Sequence, residues 1–134
     1  MCGFVGFTNY IKDDGTVINA MMDKIVHRGP DSAGFYTDAD IALGFRRLSI
    51  IDLSEGNQPM FNEDGSLVLV FNGEIYNFKD LRQELEAQGH TFANNSDSEV
   101  LLHGYEQWGE DLVKRLRGMF AFVIYNKADG SVFG

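Results

Sequence analysis

The sequence contains one cysteine, two prolines and only 11 basic residues against 20 acidic ones in 134 positions. A single cysteine excludes an internal disulfide and a cysteine-rich metal centre, which leaves packing or chemistry as its use. The shortage of basic residues gives a formal net charge of −9. A surface of that sign repels phosphate backbones, so no nucleic acid partner is expected. No apolar run approaches the ~18 residues of a membrane span, and the first residues lack the basic and apolar regions of a signal peptide. No membrane partner and a cytoplasmic location are therefore expected. Also missing are an internal repeat, a like-charge block of the kind that marks a disordered tail, and the Gly-rich phosphate loop of a nucleotide-binding unit. The three histidines, His27, His90 and His103, are scattered without metal-ligand spacing. Helix-end or surface roles are expected for them, and no metal site.

Hydrophobic residues make up 44% of the chain and aromatic residues 13%, ample for the core of a single domain. Residues 3–7 read as a strand, with Lys12-Asp13-Asp14-Gly15 as a turn after it. From Thr16 the apolar positions Val17, Ile18, Met21, Met22 and Ile25 recur at helical spacing, and Gly29-Pro30 supplies the stop. Two strands are expected at 34–37 and 41–48, joined by a hairpin connection at 38–40. Residues 52–65, with Gly, Asn, Asp and Pro59, read as an irregular loop. The continuous apolar run 67–71 reads as a strand buried on both faces. Phe78, Leu81 and Leu85 share a helical face between Asn77 as the cap and Gly89 as the end. Ser96 and Glu99 have capping-box spacing ahead of a stripe of Val100, Leu101, Tyr105 and Trp108. A short third helix is expected at 111–117, a strand at 119–125, a turn at 126–130 and a last strand after it. Strands and helices in this alternation imply an α/β or α+β layered domain.

Cys2 follows the initiator methionine, which is normally trimmed ahead of a small residue. Trimming would leave a cysteine carrying a free α-amine. Such an amine ordinarily has a pKa of ~7.7 to 8.0 and a free thiol ~8.5, so the amine is a matched base for the thiol proton, directly or through water. Nucleophile and base would then occupy one residue. A cysteine at position 2 is also easily an accident of the terminus, so the reading needs further groups. Asn72-Gly73-Glu74, directly after the apolar run, offers them: the Asn72 side-chain amide and the Gly73 N–H can both donate to a tetrahedral oxyanion. Asn-Gly is otherwise a hairpin signal, although here the chain leads into a helix. Arg47 presents a planar fork that matches an amino acid carboxylate, or simply faces solvent. Asp97 could bind a substrate ammonium, or serve only the start of its helix. Arg28-Gly29-Pro30-Asp31 sets a cation and an anion around a rigid bend whose role the residues leave open.

Taken together, Met1-Cys2-Gly3-Phe4-Val5-Gly6, His27-Arg28-Gly29-Pro30-Asp31-Ser32, Arg47-Leu48-Ser49-Ile50-Ile51-Asp52, Gln58-Pro59, Asn72-Gly73-Glu74-Ile75-Tyr76-Asn77, Ser96-Asp97-Ser98-Glu99 and Gly118-Met119-Phe120-Ala121-Phe122 resemble the glutaminase domain of class II glutamine amidotransferases. These belong to the N-terminal nucleophile hydrolases. The Arg-Gly-Pro-Asp and Asn-Gly-Glu-Ile-Tyr-Asn segments look like those of the glutamine-dependent asparagine synthetase branch. The resemblance implies an α+β fold, a four-layer αββα sandwich, and a Cys2 nucleophile that forms a glutamyl thioester. It implies an oxyanion hole from Asn72 and Gly73, with glutamine held by Arg47, Glu74, Asp97 and nearby groups including Leu48 and Ile50. No cofactor is implied in this domain. ATP and magnesium are expected in a synthetase domain, the partner that would use the ammonia to make asparagine from aspartate.

The family's glutaminase domain continues beyond the point matching Gly134. Residues 1–134 therefore read as its N-terminal part, with no synthetase domain, and sheet edges left exposed would favour self-association into a homodimer. Retention of Met1 would turn the Cys2 nitrogen into an amide and remove the base. Four alternatives accompany this reading: a non-catalytic module that binds a partner or regulates, an inactive fragment, a cysteine-histidine hydrolase indifferent to a blocked N-terminus, and an amidotransferase with another acceptor.

Overall fold

The computed structural model describes residues 2–8, 15–49 and 57–134. Among the described residues, seven strands form two antiparallel sheets. The first joins β1 (Gly3–Thr8), β3 (Ile41–Arg47) and β2 (Ser32–Thr37), with β3 in the centre. The second runs β4 (Met60–Phe61), β5 (Leu67–Ile75), β6 (Gly118–Asn126) and β7 (Val132–Phe133). Among the described residues the α-helices that flank them are α1 (Thr16–Lys24), α2 (Phe78–Ala87) and α3 (Glu99–Trp108).

Strand alternation explains the layering. On β3, Ile41, Leu43 and Phe45 point to the second sheet and form an inter-sheet core with Val68, Val70 and Tyr125. The intervening Gly44 faces α1, where an added Cβ would lie 2.7 Å from Met22 Cγ and 3.1 Å from Ile18 Cγ1. On β5, Leu67, Leu69 and Phe71 point the other way, into a core with Leu81 and Leu85 of α2 and Val100 and Leu101 of α3. A strand that is apolar on both faces thus lies between another sheet and a helical layer. The result is the four-layer αββα sandwich. No helix among the described residues is long and apolar enough to cross a membrane.

Several local expectations are corrected. The α1 helix ends at Lys24, before a separate 3₁₀ turn over Val26–Arg28, so Gly29-Pro30 stops that turn and not α1 itself. The loop expected at 52–65 contains β4, which pairs Met60 with Leu69 and Phe61 with Val68; residues 52–56 of it lie outside the described residues. So do residues 12–14 of the first turn. The strand expected at 67–71 continues through Asn72-Gly73-Glu74 to Ile75, because these residues pair with β6 as far as Gly118. Ser98, not Ser96, occupies the N-cap position of α3, without a side-chain cap bond, and the Glu99 carboxylate accepts the Ala93 and Asn94 N–H groups at 2.7 and 3.0 Å, so the capping box does not form. Asn77 occupies the cap of α2, but its side chain spans to Arg115 O and Arg117 N instead of closing the helix. The third helix is a 3₁₀ segment over Gly109–Lys114. His103, expected in a surface or helix-end role, is only 2% exposed.

Candidate active site

The start of β1 and the end of β3 meet at Cys2. The pairing of Gly3 with Arg46 sets Cys2 beside Arg47 and Leu48. The Leu48 N–H points to the Cys2 sulfur at 3.4 Å, and the thiol lies 3.9 Å from Leu48 O. The Arg28 guanidinium donates to the Cys2 carbonyl from Nε at 3.3 Å and Nη2 at 3.2 Å. This two-point grip fixes the peptide that carries the thiol. The bend after Arg28 splints the same segment from outside. A side chain on Gly29 would collide with the Arg46 carbonyl and come within 2.6 Å of the Arg47 nitrogen. Asp31 donates its N–H to Arg47 O at 3.0 Å, and its carboxylate accepts Ser49 N at 2.7 Å. The role left open by the sequence is thereby assigned: Arg-Gly-Pro-Asp shapes the backbone around Cys2, Arg47 and Leu48.

The second wall comes from β5. Asn72, Gly73 and Glu74 pair with Ala121, Phe120 and Met119 of β6. Gly73 has φ 147°, and a Cβ there would collide with Met119 O and lie 2.6 Å from Phe120 Cα. Only glycine allows this strand end to lie so close to β6 in that conformation. Asp97 is tied to the same end, since its Oδ2 accepts the Ile75 N–H at 2.8 Å. Burial raises the Asp97 carboxyl above the ordinary range and the nearby Glu74 charge adds to this, while the Ile75 N–H bond opposes both. A partly buried carboxylate of this kind favours a cation beside it.

Cys2, Arg47, Leu48, Asn72, Gly73, Glu74 and Asp97 all line one cleft of about 430 Å³. Ile50 lies outside the described residues. The cleft also includes groups to which the sequence reading gave no role. Gln58 accepts the Phe71 N–H at 2.6 Å and so pins the loop before β4 to β5. Phe45 and Phe71 supply an apolar surface, and Tyr76 and Met119, 63% and 67% exposed, stand at its open side. Exposed aromatic and methionine side chains are recognisable as special only once their neighbours are known. Among the described residues no group of three metal-ligating side chains converges in this cleft. What converges is a thiol, two side-chain amides, a guanidinium and two carboxylates. That set suits a small zwitterion with a polar side chain better than an extended apolar ligand.

Residues 1–133 match the family model of a glutamine amidotransferase domain. The chain is 50% identical over 139 residues to asparagine synthetase [glutamine-hydrolyzing] 1 of Bacillus subtilis, an alignment that covers 100% of this chain and 22% of that protein. It is 43% identical over 135 residues to a probable asparagine synthetase [glutamine-hydrolyzing] of Dictyostelium discoideum, covering 98% and 24%. The chain thus spans less than a quarter of the length of either relative. Among solved structures, the B. subtilis glutamine phosphoribosylpyrophosphate amidotransferase complexed with ADP and GMP superposes with a TM-score of 0.75 at 22% identity, covering 95% of this chain and 35% of that one. At that identity the likeness is one of fold: the two chains share the layered sandwich.

Proposed function

Because the chain belongs to the glutamine amidotransferase domain family, we propose that its cleft hydrolyses the side-chain amide of glutamine, with Cys2 as nucleophile once Met1 is removed. The observation that carries the reading is the convergence of Cys2, Arg47, Asn72, Gly73 and Asp97 on one cleft. In this reading Arg47 holds the substrate carboxylate, and Glu74 and Asp97 hold its ammonium, with Leu48 beside them. These contacts present the side-chain carbonyl to sulfur.

The freed α-amine of Cys2 takes the thiol proton, and the sulfur attacks the amide carbon. The resulting oxyanion accepts hydrogen bonds from the Asn72 side-chain amide and the Gly73 N–H. Each such donor typically contributes about 2.7–4 kcal/mol of transition-state stabilisation. Collapse of the intermediate returns the proton to the leaving nitrogen, releases ammonia and leaves a glutamyl thioester. Water, deprotonated by the same amine, attacks the thioester, and glutamate departs as sulfur recovers its proton. Arg28 is a positioning residue in this scheme, since it touches the Cys2 carbonyl and not the substrate.

The named relatives are glutamine-hydrolysing asparagine synthetases. By extension, the ammonia serves a synthetase domain that uses ATP and magnesium to convert aspartate to asparagine. The test uses the full-length protein with a verified N-terminal cysteine. Ammonia release from glutamine and a covalent adduct of glutamyl mass on Cys2 are expected, and Cys2→Ala should abolish both. Undiminished ammonia release by a folded Cys2→Ala protein would refute the proposal.

A further inference from the structure

We propose that Glu63, His90, His103 and Glu106 form a binding site for one divalent transition-metal cation of the zinc class, on the opposite face of the second sheet from Cys2. The four residues come from three separate places: the β4–β5 turn, the connection after α2, and α3 itself. Each offers one ligand atom, and these atoms all lie within 4.8 Å of one another. Chain spacing does not announce the set, which the fold assembles.

His103 carries most of the argument. It is 2% exposed, yet its Nδ1 has no hydrogen-bond partner. That nitrogen faces Glu63 Oε1 at 3.4 Å and Glu106 Oε2 at 3.6 Å, while His90 Nδ1 lies 3.4 Å from Glu106 Oε2. These separations are long for hydrogen bonds. These three match the edges of a tetrahedral site, since metal–ligand bonds of ~2.0–2.1 Å imply ligand–ligand edges of about 3.4 Å, and the rest of the set, within 4.8 Å, would draw in on binding.

The surrounding contacts point the same atoms inward. His103 Nε2 meets Glu99 Oε1 at 3.2 Å, and a carboxylate only accepts, so this nitrogen carries the proton and Nδ1 keeps its lone pair in the neutral ring. Glu99 is itself held by the Ala93 and Asn94 N–H groups. His90 Nε2 pairs with the Gln107 side-chain oxygen at 2.9 Å, which leaves its Nδ1 as the inner acceptor. Asn62 Nδ2 occupies the other oxygen of Glu106 at 2.9 Å. Outer partners that fix tautomer and ring orientation accompany nearly every metal-bound histidine. Two imidazoles with two carboxylates favour zinc over magnesium, which prefers six oxygen ligands. With four protein ligands the expected site is structural, a clip between the β4–β5 turn and the helical layer.

The test is zinc binding by the full-length protein after chelator treatment, measured by calorimetry with zinc chloride and by metal content after dialysis. The readout is independent of glutamine hydrolysis, and metal bound by another domain is subtracted by comparing variants. Glu63 is half exposed, and the His90 side chain, 14% exposed, belongs to neither apolar core cluster, so Glu63→Gln and His90→Ala should fold. Each should lower zinc affinity at this site at least ~10-fold, remove the rise in melting temperature that zinc gives the wild type, and leave magnesium titrations unchanged. Cobalt chloride should give the intense visible absorption of a tetrahedral site in the wild type only. Equal zinc binding by wild type and both variants, or none in the wild type, would overturn the proposal.

Discussion

Along β5, residues 67–71 are 0–4% exposed, whereas Asn72, Gly73 and Glu74, which continue the same pairing with β6, line an open cleft. β3 makes the same change at the same end of the sandwich: Ile41 to Phe45 are buried, and Arg46 and Arg47 are partly exposed beside Cys2. The central strands of both sheets therefore have a packing end and a chemical end. The first is held by apolar area on both faces, the second by specific hydrogen bonds that Arg28 donates and that the side chains of Asp31, Gln58 and Asp97 accept. On the proposed function, stability and reactivity are divided along single strands, and substitutions at the two ends should separate them.

The largest effect on stability is expected at the packing end. Leu69→Ala removes a side chain that is 0% exposed and should cost about 2–5 kcal/mol, read as a lower denaturant midpoint with the glutamine KM unchanged at temperatures where the protein stays folded. At the chemical end the pattern reverses. Asn72→Ala should lower kcat for ammonia release by roughly 10²–10³, with a melting temperature close to that of the wild type. A large loss of stability in Asn72→Ala would blur the division between the two ends.

A smaller effect is expected from Asp97. Its folded-state pKa is raised, chiefly by burial, so the folded protein holds the proton more tightly than the unfolded chain. Its contribution to stability is fully present below the ordinary carboxylate pKa and is lost as pH rises through the folded value. The stability difference between wild type and Asp97→Asn should therefore shift against the wild type as pH climbs from the ordinary carboxylate range. Glutamine affinity should move the other way, tightening as Asp97 ionises and can face the substrate ammonium. A titration in which both quantities are flat would remove Asp97 from the ammonium site.

The packing end was legible in the sequence because it follows periodicity. The run 67–71, the stripe of α3 and the face of α2 declare themselves through apolar spacing alone. What escaped depended on partners distant in the chain. β4 is only two residues long, within a stretch rich in turn formers, and exists because Met60 pairs with Leu69 and is 9% exposed. Asn72-Gly73-Glu74 reads as a strand end by composition, yet β6 extends the ladder past it, with Gly73 and Gly118 allowing the close approach. Glu99 has capping-box spacing from Ser96 but folds back on Ala93 and Asn94. His90 and His103 lie 13 positions apart with no recognisable motif, and only the packing of α2 against α3 brings their rings to 5.3 Å. Most of the cleft was legible because its chemistry is unusual in type: a lone cysteine at position 2, an Asn-Gly that leads into a helix, and an arginine beside an apolar strand.

The central claim is that Cys2 acts through its own α-amine. It is tested most directly by comparing ammonia release from glutamine by two full-length forms, one with Cys2 as the free N-terminal residue and one extended by a single blocking residue. The account predicts that the blocked form binds glutamine and melts at the same temperature but releases ammonia only at background rate. Equal rates from the two forms would contradict it.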